Sequence, residues 1–288
     1  MKRIIAAIKK HPWRYVAMAA GFALFVYPAA FLIRAAFWAQ GSTAMPDLHK
    51  ACFRMPFDWL VAGNVTNFVD RPFLIGFLGV VLVGAFFFGP LFCGWLCPVG
   101  TTSELASRTT PKKVKINLTR KVNPTAIRYG FLAAFVAVAA GAAFIPDSAL
   151  ASICCRYCAS AQLQTLVNGI FDPSSLAYFH SGGIMVIGGW LFLGGLFWKG
   201  GRGWCLYGCP LGAISNISHS IGAKMGFTYK IKHDTSKCVE CGKCEEVCPT
   251  WAINRESGQP AVNRHTCNTC LECVKECPTG SYKYTRGS

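Results

Sequence analysis

The sequence predicts an α-helical polytopic membrane protein that ends in a small α+β domain rich in cysteine. Hydrophobic residues make up 52% of the 288 residues and charged residues only 15%. The mean hydropathy of +0.35 is high for a soluble domain and indicates membrane spans. Eight of the 16 cysteines lie between positions 238 and 277. These numbers exclude a disordered chain, and the length excludes a small disulfide-stapled domain.

Four apolar stretches are the candidates for membrane-spanning helices. An α-helix rises roughly 1.5 Å per residue, so about 20 apolar residues cross a hydrocarbon core of about 30 Å. The first two stretches are long enough, and the other two need their flanking residues. The alternatives are buried helices of a large soluble protein and, for the first stretch, a cleaved signal peptide; its length favours an uncleaved anchor. The four predicted spans are Tyr15–Trp38, Phe73–Phe92, Tyr129–Ile145 and Ile184–Trp198.

The basic residues predict the orientation of these spans. Twelve lysines and arginines precede the first span or lie between the second and third, against four in the other two loops. Because cytoplasmic loops are enriched in such residues, we expect a multi-pass protein of a bacterial inner membrane with both termini in the cytoplasm. Most of the formal charge of +16 is then a topology signal, and no nucleic-acid partner is expected. The expected divisions are a basic N-terminus (1–14), a membrane domain (15–225) and a cysteine-rich domain (226–288).

The cysteine-rich domain contains the motif C-x2-C-x2-C-x3-C-P twice, starting 29 residues apart. This is the spacing of bacterial dicluster ferredoxins, in which the fourth cysteine of each motif ligates the other cluster. We therefore expect a dicluster ferredoxin-like domain with two [4Fe–4S] clusters. Zinc is the alternative, since paired C-x2-C units also bind it. The predicted ligands are Cys238, Cys241, Cys244 and Cys277 for the first cluster, called site A, and Cys267, Cys270, Cys273 and Cys248 for the second, called site B.

Two C-x3-C-P motifs follow the second and fourth predicted spans, 112 residues apart. Their positions suggest a duplicated helix hairpin, and a helical turn would place both sulfurs of a motif on one face. Four thiolates that meet at the inner membrane face could hold a further iron–sulfur cluster. The alternative is that these cysteines are small apolar residues packed at helix ends. This group, called site C, consists of Cys93, Cys97, Cys205 and Cys209.

The remaining four cysteines fall in the predicted outer loops, in a compartment that permits disulfides. Cys155 and Cys158 have the spacing of a ligand pair, but the adjacent Cys154 and Cys155 are awkward ligands for one cubane cluster. A disulfide from Cys52 to the second loop and an outer iron–sulfur cluster stay open as alternatives. This outer group consists of Cys52, Cys154, Cys155 and Cys158.

With these motifs in this order, the chain resembles the NapH/MauN group of ferredoxin-type membrane proteins over nearly its whole length. Its membrane part is distantly similar to NosR-type proteins. The resemblance implies a quinol dehydrogenase subunit of a periplasmic respiratory or dehydrogenase pathway. Such a subunit passes electrons between the membrane quinone pool and a partner, which is a ferredoxin-type protein, a cytochrome or a reductase subunit. It also implies cluster ligation at sites A and B and a functional role for site C. The alternative is a polyferredoxin assembly factor that supplies electrons for cofactor insertion into a metalloenzyme.

No residue is predicted to catalyse bond chemistry, because the sequence lacks a carboxylate pair, a nucleophile elbow and a phosphate loop. No haem is expected, because there is no C-x-x-C-H motif and the six histidines are scattered. The sequence does not distinguish among the candidate residues for a quinone site. These candidates are His49, Asp58 and His180 on the outer side, and Glu104 and His219 on the inner side.

Overall fold

The computed structural model describes residues 2–39, 41, 56, 59–60, 63, 66–70, 72–118, 122–145, 156, 158–181, 183–254 and 259–287. Helices dominate the first 222 residues. They are α1 Lys2–Lys10, α2 Pro12–Phe25, α3 Phe31–Ala39, α4 Thr66–Asp70, α5 Pro72–Phe88, α6 Pro98–Thr109, α7 Pro124–Phe144, α8 Ala159–Phe171, α9 Gly183–Ile187, α10 Gly203–Tyr207 and α11 Pro210–Gly222. The π-helical segments are Phe92–Leu96 and Gly188–Leu196, and the 3-10 segments are Lys112–Val114, Pro173–Ser181 and Thr235–Lys237.

The first predicted span is not one continuous helix. It divides into α2 and α3, because Pro28 has no N–H to donate and Ala30 has a left-handed φ of 43°. The side chain of Arg34 donates to the carbonyl oxygens of Ala29 and Pro28 at 2.8 and 2.7 Å. The guanidinium therefore satisfies backbone acceptors that the interruption of the helix exposes.

One helix among the described residues, Pro124–Ala142, is long and apolar enough to cross a bilayer, with a mean hydropathy of 1.5. The apolar helices Pro72–Phe88 and Gly183–Leu196 are shorter. The second predicted span stops short because α5 ends before Gly89 and Pro90, and the fourth changes from α- to π-helical geometry after Ile187. The helices nevertheless present large apolar side chains outward.

Each C-x3-C-P motif leads directly into a helix. Cys97 and Cys209 are the N-cap residues of α6 and α11, and the prolines that follow occupy the first helical turn. Proline suits this position because its missing N–H would have no intrahelical partner there. The backbone N–H of Gly212 donates instead to the Sγ of Cys209 at 3.4 Å. The motif thus fixes its second sulfur at the start of a helix.

The C-terminal domain is built from two short antiparallel pairs and two single-turn helices. Strand β1 (Tyr229–His233) pairs with β4 (Tyr282–Arg286), and β2 (Ile253–Asn254) pairs with β3 (Ala261–Val262). Helices α12 (Lys243–Val247) and α13 (Glu272–Glu276) follow the two cysteine loops. The core consists of cysteines together with Ile231, Ile253 and Tyr282, so most of its interior faces the predicted ligands.

Candidate iron–sulfur sites

The two cysteine loops of the C-terminal domain share an unusual backbone conformation. Glu240 and Gly242 in the first loop, and Thr269 and Leu271 in the second, all have φ between 51° and 75°. A left-handed backbone conformation costs free energy in residues other than glycine, and residues that adopt it cluster at functional sites. Successive N–H groups in such a loop converge on a concavity that suits an anion. This geometry fits a negatively charged iron–sulfur cluster.

The four cysteines of site A line one small pocket together with Tyr282. Cys244 is buried, while Cys241 is exposed to solvent. The Oγ1 of Thr279 lies 3.6 Å from the Sγ of Cys277. Burial alone would raise the pKa of the Cys277 thiol, but hydrogen bonds from Thr279 and backbone groups lower it to about 7. The chain therefore stabilises a thiolate at this position.

The four cysteines of site B are all buried, with at most 9% of any one exposed. The backbone N–H groups of Ala252 and Thr269 donate to the sulfurs of Cys248 and Cys267 at 3.2 and 3.5 Å. Burial raises the pKa of the Cys273 thiol, and the three other site B sulfurs raise it further by repulsion. Bound iron would relieve this repulsion, because its positive charge offsets the negative charge of the thiolates.

Site C also brings its four sulfurs together, although they come from segments 112 residues apart. Burial raises the pKa of the Cys93 thiol, and the neighbouring Cys97, Cys209 and Cys205 raise it further. Burial likewise raises the pKa of Cys97 to about 11 and that of Cys209 to about 12. The structure therefore unites two motifs that the sequence presents separately, next to the start of α6 and α11.

Two buried arginines face site C. Arg128 is 3% exposed and Arg202 is 1% exposed. Each C-x3-C-P motif continues as C-P-x-G, and each guanidinium occupies the space that a side chain on this glycine would need. A Cβ on Gly212 would lie 2.7 Å from Arg128, and a Cβ on Gly100 would lie 2.0 Å from Arg202. The absence of side chains at these two glycines lets the guanidiniums approach the sulfurs.

Arg128 differs from Arg202 in its partners. Arg202 donates from Nε to Glu104 at 2.9 Å, whereas the Nε of Arg128 has no hydrogen-bond partner among the described residues. The Arg128 guanidinium interacts electrostatically with Cys209, Cys93 and Cys205 of site C. A buried cation requires an anion nearby, and four thiolates around a [4Fe–4S] cluster supply a net charge of roughly −2.

Glu104 joins a buried ion network and is not an open proton acceptor. Its carboxylate accepts two hydrogen bonds from Arg14 at 2.7 and 2.8 Å, and others from Arg202 and Arg108 at 2.9 and 3.0 Å. Burial alone would raise the pKa of Glu104, but these guanidiniums outweigh it and hold the pKa far below its usual range. Arg14 also donates to Glu272 at 2.5 Å, which ties the C-terminal domain to the helices.

Of the other candidates for a quinone site, His219 is the one whose side chain the structure describes. Only 3% of it is exposed, and burial lowers its pKa to about 4. His49 and Asp58 lie outside the described residues, as does the side chain of His180. In the outer group, Cys158 is a partly buried N-cap residue of α8. Cys52, Cys154 and Cys155 lie outside the described residues.

Sites B and C meet at a close backbone contact, which we call the junction: the Cys93–Cys97 segment against residues 268–270. A Cβ on Gly94 would lie 2.3 Å from the carbonyl oxygen of Asn268 and 3.3 Å from the Cα of Cys270. Trp95 donates from Nε1 to the carbonyl oxygen of Thr269 at 3.1 Å. Sequence reasoning missed this contact, and a glycine between two cysteines was the only local signal for it.

Site B is held from a second side by α11. The Nδ2 of Asn216 donates to the carbonyl oxygens of Cys267 and Arg264 at 2.7 and 2.5 Å. On its other side, site B adjoins site A, since Tyr282 interacts electrostatically with Cys244 and Cys238 of site A and with Cys273 of site B. The three sites therefore lie in the order C, B, A.

Family models match three segments of the chain. A 4Fe-4S binding domain matches residues 71–117, which include the first half of site C. Two 4Fe-4S dicluster domain models match residues 203–252 and 230–278. Together the matched segments contain every cysteine of sites A, B and C. The fold and these matches define an iron–sulfur electron-transfer protein with a C-terminal dicluster [4Fe–4S] domain.

The relatives confirm the resemblance found in the sequence. The chain is 26% identical to the ferredoxin-type protein NapH of Haemophilus influenzae over 225 residues, which cover 75% of this chain and 69% of NapH. It is 26% identical to YccM of Escherichia coli over 66% of this chain and 49% of YccM. It is 27% identical to NirI of Paracoccus denitrificans over 72% of this chain and 28% of NirI. The chain is thus related to the ferredoxin-type electron transport proteins NapH, YccM and NirI.

The matched region spans only about half of YccM and less of NirI, so these relatives have further parts. No solved structure matches the chain.

Proposed function

We propose that the protein is a membrane-bound electron-transfer subunit with [4Fe–4S] clusters at sites A, B and C. It exchanges electrons between quinone or quinol and a partner redox protein, as a quinol dehydrogenase subunit. The observation that carries the third cluster is the buried Arg128, which interacts with Cys93, Cys205 and Cys209 and has no carboxylate partner among the described residues. The contact between sites C and B supports one continuous electron path, since electrons move between centres that lie close together.

Membrane attachment is part of this proposal. The relatives of the NapH type support it. Large apolar side chains are also exposed on the helix that is long enough to cross a bilayer and on the two shorter apolar helices. Val80 on α5, Phe131 on α7 and Ile184 on α9 are 73%, 56% and 71% exposed. Exposed apolar side chains on several neighbouring helices indicate contact with lipid. Four spans, cytoplasmic termini and the divisions 1–14, 15–225 and 226–288 remain predictions. The outer group likewise keeps its two alternatives.

The bound clusters would supply one-electron chemistry, and the residues described here would hold them and tune their potentials. Cysteine sulfurs would ligate the iron at all three sites. Backbone N–H groups at Gly212, Ala252 and Thr269 would stabilise the sulfurs, and more so in a reduced, more negative cluster. Oxidation of a quinol would pass its two electrons to the clusters one at a time and release its two protons to water.

Iron and sulfide analysis of anaerobically purified protein, combined with EPR, tests the number of clusters. We expect about 12 irons per chain, and about 8 after Cys93→Ala and Cys209→Ala, because site C alone would be lost. Gly84→Ala, where an added Cβ would meet nothing within 4 Å, is the control and should leave the iron content unchanged. About 8 irons in the unaltered protein would remove the cluster at site C, and bound zinc instead of iron would overturn the whole proposal.

The quinone step requires a separate measurement. In proteoliposomes with the electron-transfer partner present, a reduced quinol analogue should reduce the clusters, visible as EPR signals of reduced [4Fe–4S] centres. A control with the oxidised analogue should produce no signal. Intact clusters that quinol does not reduce would remove the quinone from the proposal and leave the electron-transfer function.

A further inference from the structure

A set of exposed apolar side chains runs from the helices toward the C-terminal domain. It begins on α5, where Val80 and Val83 are 73% and 57% exposed. It extends over α11 and over the chain that connects α11 to β1. We call this extension the apolar face. Each of its members is between 36% and 52% exposed, and they are Phe87, Ile217, Ile221, Met225, Phe227 and Tyr229.

Contacts between α5, α11 and the connection join these side chains into one surface. The hydroxyl of Ser218 on α11 donates to the carbonyl oxygen of Leu82 on α5 at 2.9 Å, so the two helices lie side by side. The ring of Phe227, in the connection, lies 6.0 Å from the ring of Phe87 at the end of α5. The exposed apolar surface of α5 therefore continues onto the chain that leads into the C-terminal domain.

Aromatic and basic side chains lie where this surface reaches the sheet. The ring of Phe88 stacks on that of Tyr229 with 5.6 Å between their centroids. Lys224 in the connection and Arg286, which pairs with Tyr229 in the sheet, are both exposed. The sequence has no aspartate or glutamate from position 173 to 233 or from 277 to 288. This composition is typical of a bilayer interface, where tyrosine is enriched and basic side chains meet anionic headgroups.

The connection also keeps its backbone polar groups satisfied within the chain. The hydroxyl of Thr228 donates to the carbonyl oxygen of Gly222 at 2.7 Å, and the ammonium group of Lys230 donates to that of Ala223 at 2.7 Å. These carbonyls end α11, where a helix has no further N–H group to offer them. Because unsatisfied backbone groups are costly in lipid, this hydrogen bonding suits a segment that contacts a membrane.

We propose that phospholipid covers the apolar face, so that the end of α11, the connection 223–228 and the adjoining end of the β1–β4 sheet lie in the headgroup layer. This inference rests on the proposed function, because it requires α5 to lie in a bilayer. The apolar side chains would contact the acyl chains nearest the headgroups, and Lys224 and Arg286 would reach the phosphates. The membrane surface would then hold the C-terminal domain from one side.

The two ends of the sheet should differ in their distance from the membrane. Tyr229 is at one end of β1, and His233, which pairs with Tyr282, is at the other. The two ends are about 13 Å apart, because a strand rises roughly 3.3 Å per residue. Tyr282 lines site A, so site A belongs to the far end, as does Asp234, the acidic residue that follows β1. A position beside site A therefore serves as a reference outside the headgroup layer.

Fluorine NMR of the full-length protein with its clusters, in nanodiscs, tests this placement. Trifluoromethylphenylalanine replaces Phe227, Phe131 or Val239, one at a time. The discs contain phosphatidylcholine and phosphatidylglycerol, with or without a lipid that carries a nitroxide on its headgroup. The readout is the increase in fluorine relaxation rate that the nitroxide causes, and the discs without nitroxide account for the effect of the clusters. Phe131, on the helix that is long enough to cross a bilayer, is the membrane reference, and Val239, 63% exposed beside site A, is the solvent reference.

The increase at position 227 should exceed that at position 239 by about fivefold or more, because headgroups then surround position 227 alone of the two. A strong increase at position 131 together with equal, weak increases at 227 and 239 would overturn the inference and leave membrane attachment intact. No increase at 131 or at 227 would contradict the membrane attachment in the proposed function, and the inference would fail with it. Iron analysis of each sample checks that the labelled proteins are folded.

Discussion

Replacing Gly94 with alanine tests whether the C-terminal domain rests directly on the segment that carries site C. The added Cβ would lie 2.3 Å from the carbonyl oxygen of Asn268. An unstrained contact between carbon and oxygen is about 3.3 Å or longer, so the two segments must separate by about 1 Å. The obstructing atoms belong to the backbone and cannot rotate away. We therefore expect Gly94→Ala to lower the free energy of unfolding by about 1–3 kcal/mol.

Denaturant unfolding of the protein with its clusters, followed by their visible absorbance, measures this loss. Gly84→Ala is the matched control, because a Cβ there meets nothing within 4 Å. It lies within α5, where alanine is favoured over glycine by up to about 1 kcal/mol, so the control should be neutral or slightly stabilised. A Gly94→Ala protein as stable as the control would refute the direct contact.

Three further predictions concern single side chains. Arg128→Met should lower the iron content from about 12 to about 8 per chain by analysis, because site C loses its buried cation. Glu104→Gln should lower the free energy of unfolding by about 3–5 kcal/mol in denaturant titration, because it leaves buried guanidiniums without an anion. Thr279→Val should lower the reduction potential of site A by about 20–60 mV in an EPR redox titration. It removes a hydroxyl that stabilises the more negative reduced state.

Each of these predictions has an internal control. Arg128→Lys should retain more iron than Arg128→Met, and full iron content in the methionine variant would contradict the role of the charge. Glu246→Gln breaks an exposed ion pair with Lys112 and should cost less than about 1 kcal/mol, so an equal cost for Glu104→Gln would contradict the buried network. In the Thr279→Val protein, the potential of site B should not move.

The pH dependence of Glu104 follows from the direction of its pKa shift. Burial raises the pKa, but the three guanidiniums lower it more, so the folded-state pKa lies below the ordinary value of 4.5. The carboxylate therefore stabilises the fold fully above pH 4.5, and this stabilisation is lost as the pH falls toward the folded-state pKa. The stability difference between the unaltered protein and Glu104→Gln should be constant above pH 4.5 and should narrow below it.

The cysteine groups could be predicted from the sequence because iron–sulfur ligands come from short loops with fixed spacing. The structure gathers sites A and B as that spacing indicates, and the left-handed residues Glu240 and Thr269 repeat at equivalent positions. Site C also followed from two equivalent motifs, although the spacing could not show that its sulfurs meet. Cys52, Cys154 and Cys155 lie outside the residues that the structure describes, so the outer group stays a prediction.

The interruption of the first span and the junction could not be predicted with the same tools. Hydropathy averages over Pro28, so an apolar stretch looks continuous where the backbone is interrupted. By sequence, Glu104 is a candidate for the quinone site on the inner side, yet it binds arginines that lie 90 and 98 residues away. Contacts of such separation depend on the packed fold, and local spacing contains no information about them.

The bonds of Arg14 also bear on how the protein is made. Its two carboxylate partners lie 90 and 258 residues further along the chain. During synthesis, Glu104 emerges first and can neutralise the guanidinium while the C-terminal domain does not yet exist. Glu272 is added later and completes the hydrogen bonds when that domain docks. The charge of Arg14 is therefore compensated within the helical part before the C-terminal domain acquires its iron. Biogenesis can then proceed in two stages.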